Sequence, residues 1–139
     1  MLATGHLGRD EIFAVVDAAR RIGIEHVVVT HPEFPSQNVS EEDQLELARR
    51  GAFLERCFTT PHTNKVPWEV WLSRTRAVGA GRCVLSTDLG QVDNPPVEDG
   101  LPLMAERLLE AGFSEDEVVT MAVTNTRLIA GLARTPVAT

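Results

Sequence analysis

Three side chains that can bind a metal ion follow three separate apolar stretches of this 139-residue chain. His6 follows a short apolar start, His31 follows the three valines at 27–29, and Asp88 ends a third such run. Two imidazoles and a carboxylate suit a catalytic Zn²⁺ that keeps one position open for water. The metal would lower the pKa of that water toward neutrality. Asp88 would either bind the metal or deprotonate the water as a general base.

Four further polar residues are candidates for a supporting or substrate-binding role. Glu55 lies inside or at the end of another apolar stretch, where it points into the site or is an ordinary charge at its rim. His62 lies in the loop that follows, and it reaches the same mouth or is simply solvated. Gln91 and Asn94 lie in the loop after Asp88, where they could meet a substrate.

The elements that would position these residues alternate between strands and helices. The pattern predicts strands over residues 1–4, 26–30, 52–58 and 82–88. It predicts helices over residues 10–21, 41–50, 67–78, 101–111, 114–122 and 125–132, and loops over 59–66 and 89–100. Strict alternation implies a parallel sheet with right-handed crossovers. Functional residues of such sheets gather at the carboxyl ends of the strands, which is where the three candidate ligands fall.

Composition limits the classes of function. An apolar content of 43% and a net charge of -7 describe a globular chain without a nucleic-acid surface. No apolar run approaches the roughly 18 residues of a membrane span, and no signal peptide is visible. Cys57 and Cys83 are isolated, which favours buried free thiols in a reducing cytoplasm. We expect one domain over residues 1–133 and a frayed tail over 134–139.

Short motifs in this order resemble the C-terminal half of the amidohydrolase superfamily, the metal-dependent hydrolases that include TatD-like and phosphotriesterase-like enzymes. The motifs are Thr4-Gly5-His6, Val28-Val29-Thr30-His31, Phe53-Leu54-Glu55 and Leu85-Ser86-Thr87-Asp88, similar to the ends of the family's fifth to eighth barrel strands. Residues 123–132 resemble the family's closing helix, with Thr126 where proline is usual. The resemblance covers nearly the whole chain.

The resemblance implies half of a (β/α)₈ TIM barrel, built from four βα units plus C-terminal helices. It implies hydrolysis of an amide, ester or phosphoester bond in a small molecule, with one or two divalent metals, usually zinc, or manganese, iron or nickel in its place. His6, His31 and Asp88 would be the ligands. The family's His-x-His on the first strand and its fourth-strand ligand have no counterpart in this sequence. A complete barrel also needs on the order of 250 residues.

Three explanations of this deficit stay open. The chain is a fragment, or it pairs with its own copy or another half-barrel, or it is an open domain whose sheet edges are covered locally. We expect a homodimer, because an isolated half-barrel would expose much apolar surface. Two other functions remain as alternatives: a non-catalytic half-barrel (an interaction module or inactive remnant), and a flavodoxin-type ligand-binding domain. The sequence lacks the phosphate-binding glycine loop that would support the flavodoxin-type domain.

Overall fold

The computed structural model describes residues 1–132, and its sheet there has four parallel strands in sequential order. The strands are β1 (Leu2–Ala3), β2 (Val27–Val29), β3 (Phe53–Cys57) and β4 (Cys83–Ser86). The predicted α/β class and parallel sheet are therefore confirmed. Each strand is shorter than its pattern predicted, so His31 and Asp88 lie two residues beyond the last paired residue of their strands. The predicted tail at 134–139 lies outside the described residues.

Seven α-helices connect and follow the strands within residues 1–132. They are α1 (Arg9–Arg21), α2 (Glu41–Arg49), α3 (Thr59–His62), α4 (Trp68–Val78), α5 (Val97–Glu110), α6 (Glu115–Val119) and α7 (Asn125–Ile129). A 3₁₀ turn precedes β4, and a π-helical turn over Thr120–Thr124 joins α6 to α7. None of these helices is long and apolar enough to cross a membrane.

Two predicted loops contain helix. The segment 59–66 begins with α3, and α5 starts at Val97 rather than at 101. Pro102 lies inside α5 on its exposed side, where the helix forgoes one backbone hydrogen bond. The spacing of Ser114 and Glu117 predicts a capping box at the start of α6, and it is confirmed: Glu117 N donates to Ser114 Oγ at 3.2 Å, and Ser114 N donates to Glu117 Oε2 at 2.8 Å.

One face of the sheet carries the packed helices. Register pairs Val29 with Leu54 and Leu54 with Cys83, so these side chains point to the same side. Buried residues of the helices pack on this side as two clusters, Ile12, Val16 and Leu47 over β2–β3 and Trp71, Met104 and Leu108 over β4. We call this side the helix face. Its two clusters form most of the core.

The opposite face has a smaller apolar cluster. Val28, Phe53 and Val84 lie here, and Ile129 of α7 packs against them. The chain reaches this face past β4, where the Asn125 amide donates to the carbonyls of Ala80 and Cys83, both at 2.8 Å. The two bonds fix the C-terminal helices to β4. We call this side the inner face.

Candidate site at the carboxyl ends of the strands

Two threonines join the ends of β1 and β2. Gly5 N donates to Thr30 Oγ1 and Thr30 N donates to Thr4 Oγ1, each at 3.1 Å. Gly5 has a φ of 63°, a conformation that glycine adopts without strain and that turns the chain sharply after Thr4. This reciprocal pair of hydrogen bonds brings His6, which follows Gly5, close to His31, which follows Thr30.

The two predicted histidine ligands lie beside each other. Their ring centroids are 4.8 Å apart, with the planes tilted by 58°. His31 is 6% exposed and also contacts Phe34, at 5.1 Å between centroids, whereas His6 is open to solvent. The buried His31 Nδ1 has no hydrogen-bond partner among residues 1–132. A buried ring nitrogen without a partner is costly, which makes it a candidate to bind a ligand.

Backbone strain marks two of the three predicted ligands. His31 has a φ of 23° and Asp88 a φ of 52°. L-residues rarely adopt such angles, which cost of order 1–3 kcal/mol each and cluster at functional sites. Both residues stand at the same place relative to a buried strand. Among the described residues, two of the four non-glycine residues with a positive φ are therefore predicted ligands, and the other two are Asn38 and Asn64.

Glu55 lies next to this pair. It is half-buried on the inner face, and its Oε2 accepts a hydrogen bond from His31 N at 3.2 Å. Cys57 is two residues further along β3, and its Sγ is 3.0 Å from Ser86 Oγ. Burial, and then the negative charge of Glu55, raise the pKa of the Cys57 thiol, with a smaller contribution from Asp88. The thiol is therefore neutral at physiological pH.

Asp88 is exposed, and its Oδ2 accepts a hydrogen bond from the buried Thr59 hydroxyl at 3.1 Å. Gln91 Nε2 donates to the Asp88 carbonyl at 3.2 Å, and Asn94 Nδ2 donates to Gln91 Oε1 at 2.6 Å. The two amides thus order the loop that holds Asp88. Sequence reasoning missed Thr59, although it follows a predicted strand at this edge.

His62 makes its contacts elsewhere. Its ring stacks on Phe58 at 4.7 Å, and the pair lines a cavity of about 310 Å³. Trp68 and Glu106 also line that cavity, which lies between the start of α4 and α5. The expectation that His62 reaches the mouth of the site has no support from these contacts.

The described residues supply only part of a metal site. Among residues 1–132, no three His, Cys, Asp or Glu side chains lie close enough to hold a metal ion. A catalytic zinc needs three protein ligands and an open position. The adjacent imidazoles of His6 and His31, one with an unpartnered buried nitrogen, fit two of them. Asp88 does not join them as a third in this arrangement.

Comparison with known proteins gives one match. Residues 1–55 match the model of a family of unknown function (DUF6282). The matched segment runs from β1 into β3 and includes His6, His31 and Glu55. No curated protein and no solved structure matches the chain.

Proposed function

We propose that this chain is half of a (β/α)₈ barrel that contributes to a hydrolytic metal site. The sequential strand order, with α1, α2, α4 and α5 on one face, supports a barrel. A doubly wound sheet instead reverses its strand order at a switch point and carries helices on both faces. The inner face, with Val28, Phe53 and Val84, would be the barrel interior.

The observation that carries the functional proposal is the His6–His31 pair at the carboxyl ends of neighbouring strands. His31 is buried, strained in its backbone and unpartnered at Nδ1. In a residue with a purely structural role, this arrangement would only lower the stability of the folded protein. In a metal ligand it has a reason, because binding would satisfy the unpartnered nitrogen.

The residues would have the following roles at the site. His6 and His31 would hold the metal, and a bound divalent ion (zinc, or manganese, iron or nickel) would supply a water molecule of lowered pKa. Asp88 would act as the general base, and the Thr59 hydroxyl would orient its carboxylate. Glu55 fixes the backbone of His31. The substrate is a small molecule with an amide, ester or phosphoester bond.

A second copy of the chain is the proposed partner. Two copies would supply the eight strands of a barrel, with β1 of one beside β4 of the other. The partner would add its own His6 and His31 to the site, since the described residues of one copy hold no complete ligand set. The bonds from Asn125 occupy the Cys83 carbonyl, so pairing would begin beyond it, toward Leu85.

Zinc titration by calorimetry, with elemental analysis and the mass in solution, tests both claims. We expect zinc to bind, and we expect His31→Asn to weaken binding at least tenfold. His62→Asn is the matched control, because it removes a histidine whose contacts lie outside the pair. A protein that binds no zinc, or equal effects of the two substitutions, would overturn the metal site. A monomer would overturn the pairing.

The incomplete ligand set favours one alternative, a non-catalytic half-barrel. In that case His31 is not a metal ligand. The mass in solution, the zinc content and the melting temperature of the His31→Asn protein would then equal those of the wild type.

A further inference from the structure

A charged network lies behind the loop that carries His31. Arg56 of β3 is on the helix face and is 0% exposed. Its Nη1 donates to Glu33 and, at 2.9 Å, to Gln44 Oε1. Its Nε lies 3.4 Å from Cys83 Sγ. An arginine almost never lies fully buried unless it is paired, and here the pair is a carboxylate from the loop after β2.

The network holds this loop at both ends. Glu33 is two residues after His31 and is buried, and Gln44 Nε2 donates to the Val39 carbonyl at 3.0 Å. Val39 N in turn donates to the Pro32 carbonyl at 2.9 Å, which closes the loop on itself. The segment from Pro32 to Val39 is therefore tied to β3 and α2 by Arg56 and Gln44.

Stability alone does not account for this arrangement. Well-packed apolar residues in place of a buried ion pair leave stability unchanged or raise it. The network is also imperfectly paired, because Glu33 Oε2 and Gln37 Nε2 are buried without partners among the described residues. The network instead fixes the position of the segment directly after His31, a residue in a rare backbone conformation.

We infer that Arg56 and Glu33 are positioning residues for His31: their ion pair holds the His31 ring against His6. The inference rests on the proposed function only for the reason why the ring is held in place. The contacts that hold it belong to the chain itself. Glu55 restrains the His31 backbone from the inner face and Arg56 restrains the following loop from the helix face. The backbone at His31 and just after it is thus restrained from both faces of the sheet.

The test is NMR of the histidine rings in a variant whose ion pair is replaced, Glu33→Met with Arg56→Met. The chain has four histidines, so His26 and His62 serve as internal references. We expect the ring-to-ring nuclear Overhauser effect between His6 and His31 to fall at least twofold and the references to stay unchanged. Zinc affinity is expected to fall at least tenfold. Arg50→Met, which removes a surface arginine paired with Glu46, is the matched control.

A folded double variant with an unchanged His6–His31 Overhauser effect would overturn the inference. If the double variant does not fold, Glu33→Gln removes the charge and keeps an oxygen for Arg56. We then expect faster amide exchange at Phe34 and Val39 with unchanged exchange at Leu54, and unchanged loop exchange would overturn the inference. If the wild type binds no zinc, the proposed function fails, while the ring measurement still decides the role of the network.

Discussion

The positive φ of His31 leads to a prediction about two substitutions, His31→Gly and His31→Ala. Both remove the imidazole and its contacts with His6 and Phe34, so these losses cancel when the variants are compared. What remains is the backbone. At an ordinary position alanine is the more stable of the two by about 0.4–1 kcal/mol, because glycine gains more freedom on unfolding.

At a φ of 23° the order should reverse. The left-handed region costs an alanine roughly 1–2 kcal/mol and glycine almost nothing. With the middle of each range, about 1.5 and 0.7 kcal/mol, we expect His31→Gly to be more stable than His31→Ala by about 0.8 kcal/mol. For a domain of this size that is about 2–5 °C in melting temperature.

Thermal and urea unfolding of the two variants measure this difference. Val92 provides the matched control, since it is a fully exposed loop residue outside the positive-φ set of the described residues. At this position, Val92→Ala should be more stable than Val92→Gly. Equal stability of the two position-31 variants, or a more stable alanine variant, would refute the claim that His31 is held under strain.

Three further predictions follow from single side chains. Asp88→Asn keeps a residue that tolerates a positive φ, so the melting temperature should stay within about 2 °C while hydrolysis by the loaded protein falls at least a hundredfold; a smaller loss would contradict a role as base. The hydrogen bond from Arg9 holds the pKa of Asp43 below its ordinary 3.8, so its stabilising effect is present above that pH and is lost as the pH falls through the lower folded value. Asp43→Asn should therefore destabilise the protein at pH 7, with an effect that shrinks as the pH falls below 3.8, and pH-independent unfolding data would contradict this. Cys57, whose pKa is raised by burial and by Glu55, should resist iodoacetamide at pH 8 until the protein unfolds, and mass mapping of labelled native protein checks this.

Local patterns in the sequence were sufficient for the elements and for the edge of the sheet that carries the candidate residues. Three consecutive valines predicted a strand buried on both sides, and all three are at most 5% exposed. The Ser114–Glu117 spacing predicted a capping box that forms as expected. These features depend on contacts within a few residues, so the sequence contains the information directly.

The start of α5 could not be predicted in the same way. Pro102 is a helix breaker in isolation, yet Met104 and Leu108 pack into the core and stabilise the helix around it. Tertiary packing here outweighs a local preference. The contacts of His62 could not be predicted for a related reason, because its stacking on Phe58 depends on where α3 forms.

The sequence by itself determined that His6, His31 and Asp88 would follow strands at one edge of a parallel sheet. Only the tertiary structure decided that the rings of His6 and His31 lie side by side, while Asp88 accepts a hydrogen bond from Thr59. It also decided that Arg56 is buried while its neighbour Glu55 is on the inner face. Alternation along a strand separates neighbours onto two faces, but only the packing of distant helices determines which face becomes the core.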